Sequence, residues 1–353
     1  MRCQTTVFDW RAAHRLALLL ALLLAVPAHA ELSASQLVKV GTSYLDRGEE
    51  QKAIEALEMA LEQDPKVPGA HRALGIAYSR TGDLGRAITH LEAAAAESPQ
   101  DYEVRLFLGL AYDLSGASAR ATQSYREAIR IDPKRPEAHH ELGMTLLLAG
   151  KQKEALDHLE AAAKVSPSPE VLVDLGYALV TAGRAADALA PIQAALAKAP
   201  QDAEAHFVHG NALAALGRAE EALAAYDETL RLAPEHPQAA LRRALTLSAL
   251  GRHAEAVAAA RQLAARHPGD ASVHFAYGRI LEASGDRAGA KAAFEKALEL
   301  APESQRVRAA LERLRRGGAA QATKKEKPKA RRKASRRTKR HRRPPSHPAP
   351  AGN

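Results

Sequence analysis

The feature that most narrows what this chain can fold into is a period. Prolines fall at Pro65, Pro99, Pro133, Pro167, Pro200, Pro234, Pro268 and Pro302, 34 residues apart except for one interval of 33 between Pro167 and Pro200. Glycines keep the same beat at Gly48, Gly82, Gly116, Gly150, Gly183, Gly217, Gly251 and Gly285. Self-similarity over so many periods outranks any local motif, because it means that one supersecondary unit is stacked many times.

Each period holds two apolar segments at helical spacing, such as Leu74 and Tyr78, then Ala87, Leu91 and Ala94. The glycine between them suits the left-handed residue that ends a helix. The proline after the second segment stops that helix, since it cannot donate the next bond. The unit therefore reads helix, tight turn, helix, turn. A further glycine recurs inside the first helix, at Gly41, Gly75, Gly109, Gly143, Gly176, Gly210 and Gly278, with Ala244 the exception. A glycine there costs roughly 0.5–1 kcal/mol relative to alanine, so its recurrence predicts a close approach of two helices. Alanine marks the second helix at Ala53, Ala87, Ala121, Ala155, Ala188, Ala222, Ala256 and Ala290. The larger residue four places on (Leu57, Leu91, Tyr125, Leu159, Ile192, Tyr226, Phe294) is expected to fill the space left by the glycine.

This pattern resembles the tetratricopeptide repeat: a large residue, two spacers, Leu-Gly, two spacers, Tyr, then Ala-x3-Phe and Pro. The eighth unit shows it in His274, Tyr277, Gly278, Leu281, Ala290, Phe294 and Pro302. The resemblance covers about residues 34–302, eight units. It implies an all-α chain, a right-handed α-solenoid of helix-turn-helix repeats. No unit carries the family's tryptophan, and the seventh has Arg243, Ala244 and Ala260 where a large residue, Gly and an aromatic are expected. That joint is expected to be the softest. Aromatics make up 4% of the chain and apolar residues 46%, so burial must rest on Ala and Leu across many small interfaces, as in a solenoid.

The organisation predicted is a secretory signal over 1–30, repeats over 31–302, a capping helix over 303–316 and a disordered basic tail over 317–353. Arg2, Arg11 and Arg15, the apolar run Leu16 to Val26 and the Ala28-His29-Ala30 site make up the signal, too short to span a bilayer. A bacterial exported protein, periplasmic or secreted, is expected. Cys3, the one cysteine, lies in that segment, so no disulfide or cysteine metal site is expected after cleavage. Val307, Ala310, Leu311 and Leu314 give the cap its apolar stripe. The tail holds thirteen Lys/Arg against one Glu, whereas the body is mildly acidic, so the net charge of +9 describes neither part.

Little suggests catalysis. Gly150-Lys151 imitates the end of a phosphate loop, but Thr145 replaces the required glycine and Gln152 the Ser/Thr. His71, His139, His206 and His274 share one place in alternate units, too far apart to meet one another, and read as packing residues. His206 and His209 share a helix without an evident third ligand. No cofactor, metal or small-molecule substrate is expected.

The resemblance implies that the first helices line a concave surface that binds extended or helical peptides. The outward positions there are Leu106 and Leu110, His140 and Met144, Val173 and Tyr177, Phe207 and Asn211, Leu241 and Leu245, and Phe275 and Arg279. A continuous apolar strip of this kind marks an interaction surface for a protein or peptide partner. The paired Lys and Asn of carboxylate-clamp members are absent; Val38, Thr42, Arg72 and Ile76 stand in the corresponding places of the first two units. The expected function is a non-enzymatic scaffold, set by analogy in envelope assembly. The alternative is a tether in which Lys324, Lys325, Arg331, Arg332, Lys333, Arg336, Arg337, Lys339, Arg340, Arg342 and Arg343 bind a polyanion. Lipopolysaccharide, anionic lipid, a cell-wall polymer or nucleic acid would serve as that polyanion.

Overall fold

The structure, a computed structural model, describes residues 32–316, and every regular element among them is a helix. The chain divides into two compact units, Met1–Lys198 and Ala199–Asn353. In the first, the described helices form five hairpins. They are α1 (Ala34–Asp46) with α2 (Glu50–Gln63), α3 (Ala70–Thr81) with α4 (Leu84–Glu97), and α5 (Tyr102–Leu114) with α6 (Ser118–Ile131). Then come α7 (Pro136–Leu148) with α8 (Gln152–Val165), and α9 (Pro169–Thr181) with α10 (Ala185–Lys198). The second unit holds α11 (Ala203–Ala215) with α12 (Ala219–Leu232), α13 (Pro237–Ala249) with α14 (His253–Arg266), and α15 (Ala271–Ser284) with α16 (Arg287–Leu300). A last helix, α17, runs over residues 305–316.

The punctuation read from the sequence sets these boundaries. The glycine of each hairpin turn adopts positive φ, from +70° at Gly48 to +89° at Gly285, a region open to glycine at no steric cost. Ser33 closes a capping box with Gln36, and Asp83, Asp101, Ser168, Asp202, Asp270 and Asp286 accept first-turn N–H groups of the helices they precede. Pro136, Pro169 and Pro237 begin helices, where a missing N–H is no loss. Pro191 lies inside α10 and removes one of its backbone donors.

Within a hairpin the two helices close on the internal glycine. A methyl added at Gly75 would lie 2.4 Å from Leu91 Cγ, and one at Gly109 would lie 2.4 Å from Tyr125 Cε1. The large residue of the second helix thus occupies the room a side chain on the first would take. The seventh repeat reverses the arrangement: Ala244 supplies the methyl and Ala260 withdraws the bulk, and both sit fully buried in one cluster with Leu223, Leu247, Ala256 and Ile280. The two departures offset each other in volume.

In each unit the second helix of a repeat packs on the first helix of the next; first helices of neighbouring repeats lie side by side throughout the first unit and, in the second, at α13 and α15. The first helices, here A helices, therefore share one face of each unit. At the end of the second unit, Val307, Ala310, Leu311 and Leu314 of α17 are buried against Leu281, Ala290, Phe294 and Ala297.

Candidate partner-binding face

Three A helices of the first unit, α5, α7 and α9, each carry a large apolar side chain exposed to water. Leu114 is 68% exposed and Leu148 86%, at the ends of α5 and α7, 34 residues apart and so in equivalent places of adjacent repeats. Tyr177 on α9 is 41% exposed. Leu110 and Met144 stand four residues before the two leucines, on the same helical stripe, and are half-buried.

Carboxylates run along the same stripes. Glu141 lies three residues before Met144, Asp174 three before Tyr177, and Asp113 beside Leu114. His140 Nε2 and Asp174 Oδ2 are 2.7 Å apart, bridging α7 to α9. That bond raises the His140 pKa, with burial opposing it. Burial pushes the Glu141 carboxyl up; His140 pulls it down, while Glu170, Asp113 and Asp174 add to the rise. The nearest counter-charge to Glu141 is His140 Nδ1 at 4.0 Å. Asp113, by contrast, accepts hydrogen bonds from the hydroxyls of Tyr125 and Thr145. The face is apolar in the middle, with negative charge only partly balanced.

The corresponding face of the second unit is packed differently. Phe207 is buried, its ring 4.7 Å from that of His236 and 6.2 Å from that of Tyr226. Asn211 accepts the Tyr226 hydroxyl at 3.0 Å. Leu241 leans on Leu263 and Val273, and Leu245 on the cluster around Ala244. Half-buried Phe275 stacks 5.6 Å from Phe294 with the Arg306 guanidinium 4.7 Å above its ring. Arg279 is exposed, in a cleft shared with Phe275, Arg306 and Arg313. Of the residues singled out in the first unit, Leu106 and Val173 are buried between helices, whereas Leu110, His140, Met144 and Tyr177 remain reachable from solvent. The eleven tail residues from Lys324 to Arg343, and the signal over 1–30, lie outside the described residues.

Sequence reasoning missed two things. It stopped one helical turn short of Leu114 and Leu148, which an i+4 step from Leu110 and Met144 reaches. It also weighed His71 and His139 only against their equivalents in other repeats, whereas each meets a second histidine across its own hairpin, His90 and His158. No described helix is long and apolar enough to cross a membrane.

Stacked helical hairpins with left-handed glycines at each turn and a small-to-large lock inside each pair define an all-α solenoid class. The chain belongs to the tetratricopeptide repeat family: one model of that repeat matches residues 38–101, 72–136, 140–203, 173–237 and 207–271, and a second matches 247–314. Proteins of this family are in general interaction scaffolds. Among solved structures, the APC/C hetero-tetramer Cut9-Hcn1 superposes with a TM-score of 0.58 at 15% identity, covering 88% of this chain. This chain spans 60% of the length of that one. PilW, a type IV pilus biogenesis factor, gives a TM-score of 0.56 at 22% identity, covering 60% of this chain and 98% of PilW. No curated protein matches the sequence.

Proposed function

We propose that the chain is a non-enzymatic scaffold that holds a partner polypeptide on the A-helix face of repeats 3–5, and that the partner presents an amphipathic segment bearing Lys or Arg. The observation that carries this is the pair of leucines, Leu114 and Leu148, left in water at the same place of adjacent repeats beside incompletely balanced carboxylates. An exposed leucine contributes nothing to the fold, while burying one against a partner is worth about 1.5–3 kcal/mol. The carboxylates select the charge of what docks and speed its approach.

The test uses the full chain and two fluorescent helical peptides, one of leucine and lysine, one of leucine and glutamate. The lysine peptide is expected to bind, with affinity falling as salt rises, and the glutamate peptide to fail. Leu114→Ser with Leu148→Ser should weaken binding tenfold or more without lowering Tm. Unchanged binding by that variant would sink the proposal.

A second reading rests on the thirteen Lys/Arg of residues 317–353: a tail that tethers the chain to a polyanion. Deleting 319–353 separates the two, since a tether then loses surface association and its salt sensitivity while the leucine face keeps its peptide. The same proposal takes the protein to be exported into the bacterial envelope by residues 1–30, supported by their charge, apolar run and small-residue site. Amino-terminal sequencing of the mature protein checks this, with Glu31 the expected first residue.

A further inference from the structure

We propose that repeats 2 and 4 each contain a two-histidine site for a divalent transition-metal ion of the copper, nickel or zinc type. In repeat 2, His71 of α3 and His90 of α4 face each other with Nδ1 atoms 2.9 Å apart. In repeat 4, His139 of α7 and His158 of α8 do the same at 3.0 Å. The ring centroids are 5.2 Å apart in both, so two hairpins 68 residues apart in sequence hold one geometry.

Packing does not require these imidazoles. The same two places hold Leu37 and Ala56 in repeat 1, Leu172 and Pro191 in repeat 5, and Ala240 and Ala259 in repeat 7. Repeats 6 and 8 keep the first histidine, His206 and His274, but place Ala225 and Ala293 opposite. In those two, Nε2 is 3.0 Å from the Pro200 carbonyl and 3.1 Å from the Pro268 carbonyl. His139 also hydrogen-bonds the backbone of Pro133. A ring that donates Nε2–H to a carbonyl presents a bare Nδ1, the form in which imidazole binds a metal.

Two imidazole nitrogens at about 2.0–2.1 Å from one tetrahedral ion lie about 3.3 Å apart. The pairs need only open by a few tenths of an ångström, with each ring turning so that the lone pairs converge. The ring that donates within the pair moves its proton from Nδ1 to Nε2, so no net proton is lost. Among the described residues no group of three or more His, Cys, Asp or Glu gathers around a common point. The ion would therefore keep water in its other positions, and copper should bind tightest by the usual divalent order.

The full chain, without a histidine tag, is titrated with CuCl2 and with ZnCl2 by calorimetry, and the copper form is read by electron paramagnetic resonance. His90→Gln and His158→Gln are each expected to remove one saturable equivalent, and the double variant two, along with nitrogen hyperfine structure. His71→Gln with His139→Gln, made on the opposite helices, should match that loss. His206→Gln should leave the count unchanged. Glutamine keeps a hydrogen-bonding group, and circular dichroism without metal checks that each variant folds. Equal stoichiometry in wild type and double variant, or binding that never saturates, would overturn the proposal.

Discussion

Replacing Gly143 and Leu159 together tests whether the lock inside each hairpin is a matter of shared volume. A methyl at Gly143 would sit 2.6 Å from Leu159 Cγ and 3.2 Å from the Ala155 carbonyl oxygen. Gly143→Ala gains about 0.5–1 kcal/mol of helix propensity but overpacks the joint at about 1–3 kcal/mol, for a net loss of about 1–2. Leu159 is fully buried, so Leu159→Ala alone should cost about 2–5 kcal/mol through the cavity it leaves. In the double variant the new methyl enters that cavity and the overpacking disappears. It should then be less destabilised than the sum of the two by about 2 kcal/mol, reproducing the Ala244 and Ala260 pairing of repeat 7. Repeat arrays depart from two-state unfolding, so the sharper assay is native-state hydrogen exchange of the α7 and α8 amides, with urea melts of the full chain beside it. Additivity within about 0.5 kcal/mol would refute the volume argument.

Three further outcomes follow from single positions. Gly82→Ala places a side chain at φ +81° with open space around it, so only backbone strain acts, and a loss of about 1 kcal/mol should appear in thermal melts. Asp270→Ala removes the cap on the Ser272 and Val273 amides and should cost about 1 kcal/mol. The hydrogen bond from the Ser272 side chain and those amides hold the Asp270 carboxyl below its ordinary value, so this contribution is present above about pH 4 and is lost as pH falls through the lowered value, which a melt series below pH 4 checks. Phe207→Ala should lower Tm, because the ring is buried, whereas Tyr177→Ala should leave Tm nearly unchanged and weaken peptide capture instead.

The fold was legible because its information is periodic and steric. Gly75 with Leu91, or Gly109 with Tyr125, recurs at fixed spacing, and each pair says the same thing about how two helices meet. In repeat 7, position-by-position matching scores Ala244 and Ala260 as two departures, whereas the interior responds to their combined volume. The binding face was only half legible. Leu106, Val173 and Phe207 share a helix face with Leu110 and Tyr177, but helical periodicity does not say which members of a face are covered by the next repeat. The histidine pairs were hidden for another reason: His71 and His90 lie 19 residues apart on two helices, a separation that acquires meaning only once the hairpin is closed.

The carboxylates of repeats 3–5 add a prediction that joins stability to binding. His140 has a raised pKa, so its contribution is fully present below the unfolded value of about 6.5 and is lost as pH rises through the folded one. Burial raises the Glu141 carboxyl, so it too binds its proton more tightly folded than unfolded. Both groups therefore favour the folded joint at lower pH, opposite in sign to capping carboxylates such as Asp270. Hydrogen exchange protection of α7 and α9, corrected for intrinsic rates, should fall between pH 5 and pH 8, and less so in Glu141→Gln. A Lys or Arg of a docked segment would supply the counter-charge that His140 gives Glu141 only at 4.0 Å, lowering the Glu141 pKa and expelling its proton. Binding of the leucine–lysine peptide should then release protons wherever the free chain still holds the Glu141 proton, seen as a calorimetric enthalpy that changes with the ionisation heat of the buffer. Glu141→Gln should abolish most of that release while leaving the leucine contacts intact. An enthalpy independent of buffer, with the peptide still bound, would show that its cations settle away from this cluster.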